Sequence, residues 1–196
     1  MIRRAFVLTV SDGVASGTRE DESGRALQGR LAELGWAVDR SVVRDDENAV
    51  AAAVRAAAAD HRLVFSTGGT GLGPRDRTPQ ALVELLDYVI AGFGEVMRAE
   101  GRKSTPLADL SRSMAGALGS TLVIAVPGSP RAALESLAAV EPLIDHALET
   151  LGGRTQQHPE ANDAAAARIP SREPEHQDHA GHEHPHEHEH EGHSHG

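Results

Sequence analysis

The stretch from Ser66 to Leu82, STGGTGLGPRDRTPQAL, combines backbone freedom with charged side chains. Its glycines are Gly68, Gly69, Gly71 and Gly73. Glycines let backbone N–H groups approach a ligand without side-chain obstruction, as a phosphate cradle requires, and Thr70 adds a hydroxyl. No lysine follows and the spacing is not G-x-G-x-x-G, which argues against a Walker loop and a standard dinucleotide site. On the glycines alone, a phosphate cradle and a plain loop stay equally open.

Asp76 adds a carboxylate beside this candidate cradle. Thr78 is positioned to cap the helix that follows, which leaves Asp76 for another role. A carboxylate next to bound phosphates suits Mg²⁺, which takes one or two protein carboxylates together with phosphate oxygens and water. The segment RDDEN offers Asp45 and Asp46 as the companion carboxylate. Taken as isolated residues, this acidic pair is more typical of a helix N-terminus.

Two other loops contain polar groups that could join the same site. Ser11 and Asp12 directly follow the first apolar run, where the alternative is a capped surface turn. The segment PGSP follows the last apolar run and leads into a helix whose free N–H groups could face an anion. The alternative is an ordinary connection, since glycine, serine and proline commonly stand at the start of a helix. Its residues are Pro127, Gly128, Ser129 and Pro130. Arg131 and Lys103 could supply positive charge nearby.

The elements that must position these loops alternate along the chain. Apolar runs predict strands, and helical periodicity with caps predicts helices between them. The strand ranges are 5–10, 36–43, 63–67 and 121–126, and the helix ranges are 23–34, 47–59, 78–89, 93–103 and 130–151. This order predicts a three-layer α/β/α sandwich with a mostly parallel sheet, in which loops at the carboxyl ends of the strands converge.

Composition narrows the functional classes. The chain has 196 residues and 39% hydrophobic content, enough for one sizeable core, and it has no cysteine, which excludes disulfides and a cysteine nucleophile. Three arginines and nine acidic residues lie after residue 153, so the folded part is only mildly acidic and has no basic footprint for nucleic acid. No apolar run approaches the ~18 residues of a membrane span. We therefore expect a soluble, cytoplasmic protein. We expect no Ser-His-Asp triad, since the only histidines in the predicted domain are His61 and His146.

The composition changes sharply after Gly153, which predicts a domain at 1–153 and a disordered tail at 154–196. Nine of the 12 histidines lie between His176 and His195. Imidazoles suit Ni²⁺, Zn²⁺, Co²⁺ or Cu²⁺, so the tail could bind such ions adventitiously, deliver them, or have no metal role. Its densest alternating histidines are His182, His184, His186, His188 and His190.

Six ordered blocks resemble the Mog/MoaB family of molybdenum cofactor biosynthesis proteins, over about residues 3–151. The blocks are VSDGVASGTREDESG, RDDEN, STGGTGLGPRDRTPQAL, GFGEVMR, LSRSMAG and TLVIAVPGSPRAALESL. The resemblance implies an α/β sandwich, usually a homotrimer, that binds molybdopterin and Mg-ATP. It further implies transfer of AMP to the molybdopterin phosphate with release of pyrophosphate, and possible contacts with other proteins of the same biosynthesis.

The resemblance also implies roles for individual residues. Asp76 matches the family's essential carboxylate, and Asp46 matches the aspartate of the block after the second strand, with Asp45 where many members have proline. By the same comparison, nucleotide or substrate contacts are expected from Ser11, Asp12, Gly68, Gly69, Thr70, Gly71, Ser111 and Pro127–Pro130. Two other functions stay open: a molybdopterin-binding module without catalysis, and a metal-handling protein that acts through its tail.

Overall fold

The computed structural model describes residues 3–153, and they form one α/β unit. The strands are β1 (Arg4–Val10), β2 (Ala37–Val43), β3 (Leu63–Thr67), β4 (Tyr88–Val89), β5 (Met114–Leu118) and β6 (Thr121–Val126). The helices are α1 (Asp12–Ala15), α2 (Glu22–Glu33), α3 (Glu47–Asp60), α4 (Thr78–Leu85), α5 (Ala91–Arg102) and α6 (Pro130–Leu151), with a 3₁₀ helix at Pro106–Leu110. The four predicted strands and the predicted fold class are confirmed.

The six strands form one mixed sheet in the order β2-β1-β3-β6-β5-β4. The pairs β1–β2, β1–β3 and β3–β6 are parallel, whereas β5 runs antiparallel to β6 and β4 antiparallel to β5. The carboxyl ends of the four parallel strands therefore lie at one edge of the sheet, where an open α/β sheet binds its ligands.

Helices cover both faces of the sheet, which is why the central strands do not alternate between apolar and polar residues. Every residue of β3 and β6 is buried. One face packs on α2, α5 and α6 through side chains such as Leu31, Met97 and Leu137. The other packs on α3 and α4 through Val54 and Leu82. Within residues 3–153, no helix is both long and apolar enough to cross a membrane.

The antiparallel end of the sheet was missed by the sequence prediction. The helix predicted over 78–89 ends at Leu85, because Leu86 turns to extended backbone (φ −75°, ψ 144°) and leads into β4. The short strand β5 contains small residues with a weak pattern, and at Gly116 a Cβ would lie 2.4 Å from the Tyr88 carbonyl oxygen. Close backbone approach, rather than bulky β-forming side chains, defines this pairing.

One detail of the predicted helices also differs. Thr78 does not cap α4: the N-cap is Arg77, without a side-chain hydrogen bond, and Thr78 is buried. The helix predicted over 130–151 is confirmed, since α6 is continuous over 22 residues and includes Pro142.

Candidate functional site

Three strand ends meet in backbone contact at the carboxyl edge of the sheet. Gly68, directly after β3, has φ +102°, and a Cβ there would lie 2.3 Å from the Val10 carbonyl oxygen at the end of β1. A Cβ on Gly128, after β6, would lie 3.2 Å from the Gly68 Cα. The Gly68 N–H donates to the Val126 carbonyl at 3.2 Å. Glycine at position 68 is therefore required both by its backbone conformation and by this close approach.

Thr78 ties the start of the glycine-rich loop to α4. Its hydroxyl donates to the Gly68 carbonyl at 2.9 Å, and its backbone N–H donates to the Gly69 carbonyl at 3.2 Å. Gly69 has φ +64°, and a Cβ there would lie 2.4 Å from the Thr78 hydroxyl oxygen. The buried threonine therefore shapes the loop instead of capping the helix.

Arg112, just before β5, holds the rest of this loop. Its backbone N–H donates to the Thr70 carbonyl at 2.9 Å and its Nε donates to the Gly71 carbonyl at 2.8 Å. Its guanidinium also donates to the Asp76 carbonyl. The loop carbonyls are thus occupied by donors from α4 and from Arg112. Within residues 3–153, the amide N–H groups of residues 69–71 donate to no acceptor, which leaves them available to an anion.

Asp76 is folded back on its own loop. Its Oδ2 accepts a hydrogen bond from the Gly73 N–H at 2.7 Å. A Cβ on Gly71 or Gly73 would lie 2.9 or 2.7 Å from this oxygen, so a larger residue at either position would displace the carboxylate from its present place. Its Oδ1 has no hydrogen-bond partner in the part of the chain that the structure describes.

The two neighbouring aspartates after β2 face different surroundings. Asp45 is half-buried, and its Oδ2 accepts a hydrogen bond from the Asp12 N–H at 2.8 Å while its own N–H donates to Asp12 Oδ1 at 3.3 Å. Asp46 is exposed and caps α3 by accepting from the Ala49 N–H at 2.8 Å. The structure therefore brings Asp45, and not the predicted Asp46, to the site beside Asp76.

Two adjoining cavities lie at this edge. The first, about 330 Å³, is lined by residues such as Ser11, Asp45 and Asp76, and we call it the acidic cavity. The second, about 450 Å³, is lined by residues 69–72 and by exposed leucines, and we call it the leucine cavity. The leucines are Leu72, Leu107 and Leu110, which are 66%, 67% and 53% exposed. The two cavities share Gly69, Asp76 and Gly128, so they adjoin at these residues.

The remaining predicted residues are distributed around the two cavities. Those that line the acidic cavity are Ser11, Gly68, Gly69, Gly128, Ser129 and Pro130, and those that line the leucine cavity are Gly69, Thr70, Gly71, Ser111, Pro127 and Gly128. Ser11 and Ser129 also cap α1 and α6. Asp12 lines neither cavity and instead pairs with Arg75 at 3.3 Å.

Sequence reasoning missed several residues of the site. Thr9, Arg19, Glu20, Glu22, Ser23 and Thr67 line the acidic cavity. They lie in the first predicted loop, next to it or at the end of β3, where only the spatial arrangement distinguishes a lining residue from an exposed one. Arg112 lies in the LSRSMAG block. It is far along the chain from the glycine-rich loop, so the sequence gives no signal of its hydrogen bonds to that loop.

Neither of the two histidines within residues 3–153 lines the acidic or the leucine cavity. His61 is buried at the end of α3, where Nδ1 lies 2.9 Å from the Ala57 carbonyl and Nε2 lies 2.7 Å from Asp39 Oδ2. The His61 hydrogen bond, followed by that of Arg4, holds the pKa of Asp39 below its ordinary value. His146 is exposed on α6. Across residues 3–153 no three His, Asp or Glu side chains are grouped to hold a metal, and the predicted tail ligands lie outside the described residues.

A model of a probable molybdopterin-binding domain matches residues 6–146. The molybdenum cofactor biosynthesis bifunctional protein of Synechococcus elongatus is 44% identical over 151 residues, covering 76% of this chain and 47% of that protein. The chain thus spans about half the length of that relative and of a similar one from Chlorobaculum tepidum. The molybdopterin adenylyltransferase of Helicobacter pylori is 35% identical over 161 residues, covering 80% of this chain and 92% of that protein.

Among solved structures, MoaB of Thermus thermophilus has a TM-score of 0.71 and 42% identity, covering 78% of this chain and 98% of that one. The Mog protein of Mycobacterium ulcerans has a TM-score of 0.72 and 34% identity, covering 76% and 99%.

Proposed function

Because the chain belongs to the family of probable molybdopterin-binding domains, we propose that it serves molybdenum cofactor biosynthesis as a molybdopterin adenylyltransferase. In this reaction a phosphate oxygen of molybdopterin attacks the α-phosphorus of ATP. A new phosphorus–oxygen bond forms, the bond between the α-phosphorus and its bridging oxygen breaks, and pyrophosphate leaves. The observation that carries the proposal is that two cavities of different character meet at Asp76, Gly69 and Gly128.

The chemical character of each cavity suggests which molecule it takes. The acidic cavity contains Asp45 and Asp76, which suit a polyphosphate that enters with a divalent cation. The leucine cavity contains Leu72, Leu107 and Leu110, which suit the flat ring system of a pterin. In this arrangement the attacking phosphate and the α-phosphate come together at the residues that both cavities share, so binding itself orients the reactants.

Asp45 and Asp76 are the residues that would hold Mg²⁺. Each has one carboxylate oxygen engaged by a backbone N–H, no ion pair, and one oxygen without a partner among residues 3–153. Two such carboxylates fall short of a complete protein cage, which fits an ion that keeps phosphate oxygens and water as its other ligands. When bound, the ion supplies neutralisation of the charge that develops on the phosphate oxygens.

The chain's own contribution is positioning. The free N–H groups of residues 69–71 would orient phosphate oxygens, with Thr78 and Arg112 fixing the loop that presents them. Phosphoryl transfer needs little proton chemistry, since a phosphate nucleophile is already an anion. The lack of histidine among the lining residues is consistent with this.

Asp76→Asn tests the proposal, because the amide oxygen can still accept from the Gly73 N–H while the charge is lost. We expect the variant to bind molybdopterin and to form no AMP-molybdopterin from Mg-ATP, measured as pyrophosphate release. Wild-type protein that binds molybdopterin but never turns over would instead identify a non-catalytic binding module. Unchanged turnover in the variant would remove Asp76 from the mechanism.

The other parts of the function stay predictions. A homotrimer is testable by light scattering, and contacts with other proteins of the same biosynthesis by co-purification. The cytoplasmic location also stays a prediction.

A further inference from the structure

Among residues 3–153, the acidic cavity is lined by one basic residue. Arg19 faces this cavity together with the acidic residues Glu20, Glu22, Asp45 and Asp76. A polyphosphate brings further negative charge into this space. A single positive side chain in such surroundings is therefore the group on which the electrostatics of anion binding would depend most.

The main chain and the stem of Arg19 are held in place by Gly13 on α1. The Arg19 N–H donates to the Gly13 carbonyl at 3.0 Å, and the Thr18 N–H and hydroxyl donate to the same oxygen at 2.9 and 3.0 Å. The aliphatic stem lies across the bare Cα of Gly13, where a Cβ would approach Arg19 Cδ to 2.9 Å and Cγ to 3.2 Å. Arg19 is exposed, and its stem packs on Gly13.

The guanidinium of Arg19 is not neutralised by a neighbour. Arg25, close to it in the chain, pairs with Glu20 at 3.1 Å, and Arg40 pairs with the buried Asp21. Arg19 forms no ion pair or side-chain hydrogen bond with any residue in the range 3–153. Its charge is thus available to an anion in the cavity that Arg19 lines.

We infer that Arg19 binds a phosphate oxygen in the polyphosphate chain of the nucleotide. This inference rests on the proposed function, since it assigns a residue to the nucleotide half of that site. Arg19 contributes a charge-assisted hydrogen bond to the substrate and, after transfer, to the departing pyrophosphate. Because the Arg19 side chain is exposed, water and salt screen its hydrogen bond to the phosphate. Arg19 therefore increases nucleotide affinity by a moderate factor.

The test is isothermal titration of the full chain with Mg-ATP and, separately, with Mg-pyrophosphate, both without molybdopterin. We expect Arg19→Ala to weaken both affinities roughly 5- to 30-fold, the range of a partly screened charged hydrogen bond, and Arg19→Lys to weaken them less. Arg55→Ala is the matched control, because Arg55 is an exposed arginine of α3 that lines neither cavity. The wild-type affinity should also fall more steeply with salt than that of Arg19→Ala.

Gly13→Ala provides a second variant that acts only by moving the arginine. Alanine favours the helical backbone of α1, so folding is preserved while its Cβ displaces the Arg19 stem. We expect Gly13→Ala to weaken Mg-pyrophosphate binding and to have no further effect when combined with Arg19→Ala.

The outcomes distinguish the role of Arg19 from the proposed function. If the wild-type chain binds both ligands and Arg19→Ala binds them as Arg55→Ala does, the role of Arg19 is refuted and the proposed function stands. If the wild-type chain binds neither Mg-ATP nor Mg-pyrophosphate, the proposed function fails and the inference fails with it.

Discussion

Asp45 and Asp46 are adjacent, and separate substitutions can show which of them acts in the site and which only caps α3. Asp45 lines the acidic cavity and accepts from the Asp12 N–H. Asp46 is exposed and accepts from the Ala49 N–H at the start of α3. Asparagine can keep either hydrogen bond while it removes the charge, so the two substitutions differ mainly in where the charge is lost.

The expected magnitudes follow from these contacts. Loss of one preorganised electrostatic contact at a reacting centre lowers kcat by about 10²- to 10³-fold, and we expect this for Asp45→Asn. Asparagine caps helices about as well as aspartate, so Asp46→Asn should keep its activity and nearly all its stability. Asp46→Ala loses the cap, about 1 kcal/mol, which lowers the Tm of a domain of this size by roughly 2–4 °C.

The assay is pyrophosphate release during AMP transfer, with molybdopterin and Mg-ATP saturating, and thermal unfolding is followed on the same samples. Circular dichroism controls for the fold of each variant. Strong loss of turnover in Asp46→Asn, together with normal turnover in Asp45→Asn, would refute the reasoning and return the metal-side role to the residue that the family resemblance indicated.

Three further predictions concern the loop, the edge strand and the tail. Arg112→Ala removes two side-chain donors from carbonyls of the glycine-rich loop, so kcat for AMP transfer should fall at least tenfold, with partial recovery in Arg112→Lys; an unchanged kcat would show that the loop needs no such support. The pKa of Asp39 is lowered by His61 and Arg4, so this aspartate stabilises the fold above the ordinary aspartate pKa of about 4 and loses that effect as the pH falls through its lowered value. Acid titration of unfolding should therefore be steeper below pH ~4 for wild type than for Asp39→Asn, and parallel curves would contradict this assignment. Isothermal titration with Ni²⁺ or Zn²⁺ should detect binding by the full chain that a 1–153 truncation lacks; equal binding by both would exclude the tail.

The parallel part of the fold could be predicted because its signals are local. The runs at 63–67 and 121–126 are apolar throughout, and burial on both faces makes such runs unambiguous. The antiparallel end could not be predicted in the same way. β5 is defined by Gly116 lying against the Tyr88 backbone, a contact that no periodicity reveals.

The candidate site shows the same division. The glycine-rich loop and Asp76 could be singled out because a carboxylate lies beside glycines that let the backbone approach a phosphate, although the glycines alone left a plain loop equally open. The resemblance indicated Asp46, whereas Asp45 lines the acidic cavity; both residues are acidic, and only the start of α3 decides that Asp46 is the one that caps it. The prediction that Thr78 caps α4 is wrong. The Thr78 hydroxyl donates instead to the Gly68 carbonyl, ten residues earlier, in a turn whose path the sequence does not specify.

The hold of Arg112 on the glycine-rich loop bears on how this site could be transplanted. The loop is a short, recognisable sequence motif that could be grafted onto another parallel sheet. Its shape, however, depends on Arg112, which lies 41 positions after Gly71 and just before β5, and on the buried Thr78 at the start of α4. The smallest segment that could be transferred to another protein is therefore the loop together with α4, Arg112 and β5. The loop sequence transferred alone would not adopt this conformation.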